Sequence, residues 1–416
     1  MLISRRLLTS LAAASVVLPR AGRAADAPVR IGAIYPLSGG SASSGQASKA
    51  AIEVGVDIVN NAHPDLAKLP LAATAGLPAL GGRKIEVVWA DHQGNPATAQ
   101  SETLRLVTQE KVVALIGCYQ SSCTLTASAV AERYGIPFLS PDSSSPNLTE
   151  RGFKWFFRTT PIGTDFGKTY ADFLSGLSVS GKKVETVAIV NENTEYGTST
   201  AEAIAPAVTA KGLKVVLRIP YNANSSDVSA QVLQLKGAAP DAVIFVSYTS
   251  DSILFVKTMH SLDYKPSVVI GDDAGFSDNA FITAVGPQAQ GAIDRSSYDI
   301  GKPGSVPFLV NEMVHKVVGH DLDDTSARGM QGFLAMADAI NAAGATEPAK
   351  IQAALRAQDL KADQLMIGYK GIKYDAKGQN ELASALIVQL DGGKYVAVWP
   401  DASAVQPMVL PFKGWN

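Results

Sequence analysis

The sequence predicts an α/β protein made of two Rossmann-like, doubly wound lobes. At 416 residues it is too long for one ordinary hydrophobic core and suits two. Short runs rich in Val and Ile alternate with amphipathic stretches of helical length, the pattern of parallel sheets covered on both faces by crossover helices. The alternation occurs twice, and the two series meet at a break in FRTTPIG, around Pro161.

In the first series the predicted strands are VRIGAIYP near Val29, KIEVVWAD near Ile85, VVALIG near Val112 and IPFLSP near Ile136. Helices are expected over Gln46 to Asn61, Ala97 to Glu110 and Thr124 to Tyr134, and the Leu- and Pro-bearing stretch Pro64 to Gly82 reads as an ordered loop insertion. The second series has strands VETVAIVNE near Val187, LKVVLRIP near Val215, DAVIFVSY near Val243 and PSVVIGD near Val268. Its helices are expected over Asp165 to Leu177, Thr198 to Lys211, Val228 to Gly237 and Ser252 to His260. After Ser297 the pattern turns mainly helical, with Val306 to Val318, Ser326 to Ala343 and Pro348 to Gln358. A turn-rich IGYKGIKYDAKGQN follows, then ALIVQL and KYVAVWP joined by Asp391-Gly392-Gly393, which read as a hairpin.

Composition narrows the class of function. With 46% hydrophobic and 18% charged residues the chain is neither disordered, collagen-like nor a coiled coil. The formal charge is -2, and the charges in the first 24 residues are all arginines: Arg5, Arg6, Arg20 and Arg23. Without that stretch 32 basic side chains face 38 acidic ones, a net charge of -6, and with no basic stripe nucleic acid is not an expected partner. The opening segment, residues 1–25, reads as an export signal of twin-arginine type, with Arg5-Arg6, an apolar run from Leu7 to Leu18, a break at Pro19 and cleavage after Ala24 or Ala25. The apolar run is too short to span a bilayer, which needs about 20 residues. The expected product is an exported protein with its signal removed.

There is no G-x-S-x-G, G-x-G-x-x-G or H-E-x-x-H pattern, and Gly163 to Thr169 is one residue short of a phosphate loop and reads as a helix start. The five histidines are scattered, and the acidic run Asp321 to Asp324 lacks the Gly and Glu of a calcium loop, so no metal, cofactor or catalytic residue is expected. Cys118 and Cys123 form either a disulfide or two buried thiols, and their spacing without a nearby His is not that of a zinc site.

Polar clusters stand where open α/β sheets bind ligands, just beyond the C-terminal ends of strands. Ser121 and Ser122 follow VVALIG and open the next helix, where hydroxyls, N–H groups and the positive end of the helix dipole suit a carboxylate. Asp142, Ser143, Ser144 and Ser145 follow IPFLSP. Either cluster alone is better explained by ordinary capping, but two on successive β/α units shift the reading toward a site. In the second series Tyr196, Tyr248 and the pair Asp272-Asp273 stand at strand ends; each tyrosine singly reads as edge packing, yet together they face the serines across a cleft, able to cover an apolar body and meet an ammonium.

At these residues the sequence resembles a known family. The run IGCYQSSCTLTASAVAERYGIPFLSPDSSSPNLTERGFKWFFRTTPIGTDFG, with IGAIYPLSG, NENTEYG, FVSY and GKYVAVWP, is similar to the periplasmic branched-chain amino-acid binding proteins, the solute-binding components of ABC importers with the type I periplasmic-binding fold. The resemblance implies a three-crossing hinge with the ligand in the interlobe cleft, an N-terminal lobe of 27–162 plus 300–372, and a C-terminal lobe of 163–299 plus 373–416. It implies that Ser121 and Ser144 hold a carboxylate, that Asp142 and Ser143 flank Ser144, that Tyr196 and Tyr248 close over the ligand, and that Asp273 takes its ammonium, Asp272 being a rival by a slip of one. Ser44 stands where the family has a bulky aromatic and Tyr119 where it has an apolar residue, so the expected pocket is roomier and more polar.

The expected function is therefore a monomeric periplasmic protein, not an enzyme, that delivers an amino acid of the branched-chain type or a related small carboxylate to a membrane ABC permease. Alternatives are a binder of aromatic or keto carboxylates, a periplasmic ligand sensor, and an exported hydrolase, the last weakened because no histidine lies in the strand-end clusters.

Overall fold

The computed structural model describes residues 27–414, so the expected signal segment and its cleavage point lie outside the described residues. Five parallel strands make the first sheet, in the order Ile85–Asp91, Val29–Tyr35, Ala114–Gly117, Phe138–Ser140 and Phe156–Arg158. The second sheet has seven strands, in the order Lys394–Trp399, Leu386–Asp391, Ile293–Ser296, Val268–Asp272, Ala242–Val246, Thr186–Glu192 and Lys214–Tyr221. Its first two strands form the expected antiparallel hairpin, and the rest run parallel. Gly392 (φ 57°) and Gly393 (φ 83°) occupy that hairpin turn, where left-handed backbone matches the twist of the strands.

Burial explains the sequence pattern. The interior strand Ala242–Val246 is buried at every position, as its continuous apolar run requires of a sheet covered on both faces. Helix Asp324–Ala343 returns to the first lobe and packs on helix Ala42–Asn60, where a Cβ on Gly55 would stand 3.0 Å from the Phe333 ring. The helix is buried from Asp324 through Ala337, so its two charged residues in that stretch, Asp324 and Arg328, are carried into the interior. The chain passes between the sheets three times: after Arg158, after Ser296, and between Gln379, which bridges to Arg158, and Leu386.

Three helices start earlier than the sequence expectation, for one reason. Helices expected from Gln46, Thr124 and Ser252 begin at Ala42, Ser121 and Thr249, because polar first-turn residues break the apolar periodicity while the backbone is already helical. Thus Ser121 belongs to a helical first turn, with its N–H groups aimed outward. Strand Phe156–Arg158 and the short pair Asp359–Lys361 and Gly371–Lys373, three residues each, were too brief to register as periodic segments.

Gly117 ends the strand that delivers Ser121. Its φ is +124°, and a Cβ there would lie 2.2 Å from the Ile34 carbonyl oxygen of the neighbouring strand. Gly117→Ala is expected to destabilise the protein by about 2 kcal/mol or more, read from the denaturant midpoint; an unchanged midpoint would mean the two strand ends are not locked together.

Candidate ligand site between the lobes

Tyr119, Ser121, Asp142, Ser144, Tyr196, Ser247, Tyr248 and Asp273 line one enclosed cavity between the sheets, of about 10 Å³. That is room for about one water molecule, so a ligand of amino-acid size enters by separation of the lobes or by swinging of the ring side chains. From the first lobe, Ser121 Oγ accepts the Ser145 N–H at 3.3 Å. Asp142 Oδ2 accepts from the Tyr35 hydroxyl at 3.2 Å, while Asp142 Oδ1 and Ser144 Oγ are buried with no hydrogen-bond partner. Buried polar atoms left unmade are costly, which makes these two atoms natural contacts for a bound molecule.

From the second lobe, Tyr196 and Tyr248 stand at the starts of two helices, Glu195–Ala210 and Thr249–Ser261. Tyr196 donates its hydroxyl to Asp272 Oδ2 at 2.7 Å. Ring centroids of Tyr119 and Tyr248 are 5.6 Å apart, and those of Tyr196 and Tyr248 5.3 Å, so an aromatic wall continues from one lobe to the other.

Asp273 also lines the cavity, at a left-handed φ of +68°, a conformation a non-glycine residue adopts only when its surroundings hold it. Its carboxylate pairs with Arg295 Nη2 at 2.8 Å and accepts a close hydrogen bond from Arg328 Nη2. Arg328 Nε faces Asp324 at 3.1 Å, and Arg295 stands 3.5 Å from both Asp272 and Asp324 with its guanidinium 3.6 Å from the Phe166 ring centroid. Both arginines are 0% exposed. A ligand cation is not needed to balance Asp273, because two guanidinium groups already supply its counter-charge. Asp272 lies beneath, accepting from Tyr170 at 2.5 Å as well as from Tyr196, and does not line the cavity.

Burial pushes the Asp142 carboxyl up to about 8; the nearby Arg328 charge opposes the rise and Asp273 adds to it. Burial likewise raises Asp272, against the pull of Arg295. The first lobe thus offers hydroxyls, a helix N-terminus and a carboxyl that is mostly neutral at pH 7, and the second offers aromatic rings and a compensated charge network.

Three expected site residues are placed elsewhere. Ser143 turns its hydroxyl to the Cys118 carbonyl at 2.8 Å and to Thr124 Oγ1 at 2.6 Å, tying two strand-end loops together. Ser122 is half-buried and outside the lining. Ser44 donates across the lobes to Asp278 Oδ2 at 2.8 Å, beside Ser43 at 2.7 Å and Thr249 at 3.0 Å, a latch at the cleft edge. A second latch joins Glu195 Oε1 to Ser145 Oγ at 2.6 Å and Asn147 Nδ2 at 2.8 Å. Sequence reasoning missed Arg295, Arg328, Asp278 and Ser247; the signal for the first two was a single basic residue in each of the runs AIDRSS and DTSARGMQGFLAMADAI.

Cys118 and Cys123 are free and buried, which selects the thiol reading, and burial holds the Cys123 thiol up at about 12. Among the described residues no three His, Cys, Asp or Glu side chains gather as metal ligands, and no helix is long and apolar enough to cross a membrane.

Residues 28–394 match the family described as periplasmic binding protein. The chain belongs to this family. As a periplasmic binding protein it is 31% identical over 414 residues to Leu/Ile/Val-binding protein homolog 7 of Brucella abortus (strain 2308), with 96% of this chain and 99% of the relative covered. Homolog 8 of the same strain is 32% identical over 396 residues, covering 92% and 94%. Solved structures share the two-lobe fold. The leucine-binding protein LivK of Thermotoga maritima superposes with a TM-score of 0.76 at 21% identity, covering 89% of this chain and 98% of that one. A solute-binding protein of Rhodopseudomonas palustris BisB5, solved with 3,4-dihydroxybenzoic acid, superposes with a TM-score of 0.74 at 19% identity, covering 88% and 95%.

Proposed function

We propose that this periplasmic binding protein is exported, acts as a monomer, and captures a small carboxylate between its lobes for delivery to a membrane ABC permease, catalysing nothing and using no cofactor. The leading ligand class is an amino acid of the branched-chain type or a close relative. The observation that carries the reading is the meeting, in one interlobe cavity, of the Ser121 helix terminus, the unpartnered Ser144 hydroxyl and Asp142 oxygen, and the tyrosine wall. Ser121 and Ser144 would hold the carboxylate, Asp142 and Asp273 would face the amine, and Tyr196 and Tyr248 would close over the apolar body. The names of the Brucella relatives support an amino-acid ligand.

One observation favours a second reading, an aromatic or keto carboxylate without an amine. Asp273 has its counter-charge inside the protein, and Asp142 is held mostly neutral, so an amine-free ligand leaves no buried charge unpaired.

Thermal unfolding of the ligand-stripped protein separates the two. A ligand at 100 times its dissociation constant adds about 2.7 kcal/mol, several degrees in Tm. If leucine, isoleucine or valine shifts the melt and their deaminated keto acids do not, the amino-acid reading holds. A shift only with amine-free carboxylates selects the second, and no shift across both classes contradicts solute capture in the cleft.

A further inference from the structure

We propose that the cavity beside the hinge, around Tyr298, is a second small-molecule site, separate from the cleft, that takes a small organic amine with an apolar body. The cavity encloses about 400 Å³. Its walls come from three directions: helix Asn279–Val285 and strand Lys394–Trp399 of the second lobe, the crossing segment 296–300, and the loop 320–323 that leads into helix Asp324–Ala343.

Two independent features define the ligand. Tyr298 is 7% exposed, and its buried hydroxyl has no hydrogen-bond partner. The hydroxyl is closed off from solvent, so a ligand polar atom makes the missing bond when the Tyr298 ring turns toward the cavity. The second feature is a local excess of negative charge. Asp324 is answered by Arg295 and Arg328 at 3.5 and 3.1 Å, and Asp321 by Lys394 at 2.9 Å, with a further hydrogen bond to His315 Nδ1 at 2.9 Å. Asp323 accepts from the Ser326 N–H at 2.8 Å as a helix cap, and Asp299 accepts from the Gly301 N–H at 2.6 Å; neither forms a salt bridge among the described residues. The remaining ring at the rim, His320, bonds Asn279 at 3.1 Å.

Ile282, Leu322 and Val396 supply the apolar part of the wall. A bare metal ion would leave these side chains without a partner and an anion would meet Asp299 and Asp323, whereas an amine with an apolar body satisfies both surfaces. Asn279 also bonds the Asp321 carbonyl at 3.0 Å, so the second lobe and the hinge-side loop that wall the cavity are joined there.

The test is calorimetric titration of the ligand-stripped protein at pH 8 with 2-phenylethylamine and with 3-phenylpropionate as the anionic probe of similar shape. The amine is expected to bind and the anion not. Asp299→Asn should weaken the amine about tenfold and Tyr298→Phe severalfold, while Ser144→Ala in the cleft leaves it bound. Absence of amine binding up to about 10 mM overturns the proposal. Equal affinity in both hinge-side variants overturns it as well, and so does loss of binding in Ser144→Ala, which would put the amine in the cleft.

Discussion

Arg328→Met is expected to lower unfolding stability by about 3–5 kcal/mol, the usual penalty for removing one partner of a buried charge network. Arg328 reaches from a helix packed on the first lobe to Asp273 at a strand end of the second, and it also donates to Thr160 Oγ1 at 3.1 Å and the Asp142 carbonyl at 3.3 Å. Without it Asp273 and Asp324 depend on Arg295 alone, and Asp324 is then 3.5 Å from its nearest guanidinium. The loss should be partly repaired in Arg328→Met with Asp273→Asn, which removes the stranded charge. Chemical denaturation of both variants distinguishes the causes. If the single variant loses less than about 1 kcal/mol, or the double variant is no better than the single, the network does not hold the lobes as described.

The stability of the unliganded protein should fall as pH rises through neutrality, and Asp142 should be responsible for a large part of the fall. An unfolded aspartate has a pKa of about 3.9, whereas burial holds folded Asp142 at about 8. Between these values the folded state binds the extra proton. Stability contributed by this group is therefore greatest below pH 4 and declines up to pH 8, by up to about 5 kcal/mol over the whole span and about 2 kcal/mol from pH 6.5 to 8. Asp142→Asn removes the titration while keeping shape. The difference between variant and parent, measured at pH 6.5 and 8, cancels the other buried groups, His92 and Asp251 among them, and should move by about 2 kcal/mol in favour of the variant. A difference that does not change with pH would mean that Asp142 is ionised in the folded protein.

Local patterning carried much of this architecture. The fully apolar AVIFV run, the paired glycines after Asp391 and the serines beyond VVALIG each announce a strand, a turn or a helix start through contacts within a few residues. Ser121, Asp142, Ser144, Tyr196 and Tyr248 were legible for the same reason, because a strand-end position is a local property and the fold rule turns it into a cleft position. The charge network was not. Arg328 meets Asp273 across 55 residues and Asp142 across 186, and no local pattern says that a returning helix will carry an arginine between two lobes. Side-chain direction was equally hidden: Ser143 and Ser144 are neighbours, yet one hydroxyl binds the strand-end loops and the other faces the cavity. Ser44 read as missing bulk and proved to be a donor to Asp278, a partner 234 residues away.

In the proposed function the Ser121 and Ser144 hydroxyls in the interlobe cavity hold a ligand carboxylate. Calorimetric titration tests it directly, comparing the parent with the Ser121→Ala, Ser144→Ala double variant, using whichever amino acid or keto acid shifts the melt most. Two charge-assisted hydrogen bonds at about 1.5 kcal/mol or more each predict a loss of at least about 100-fold in affinity with the unliganded melting temperature little changed. A double variant that binds as tightly as the parent would contradict the claim and place the ligand elsewhere.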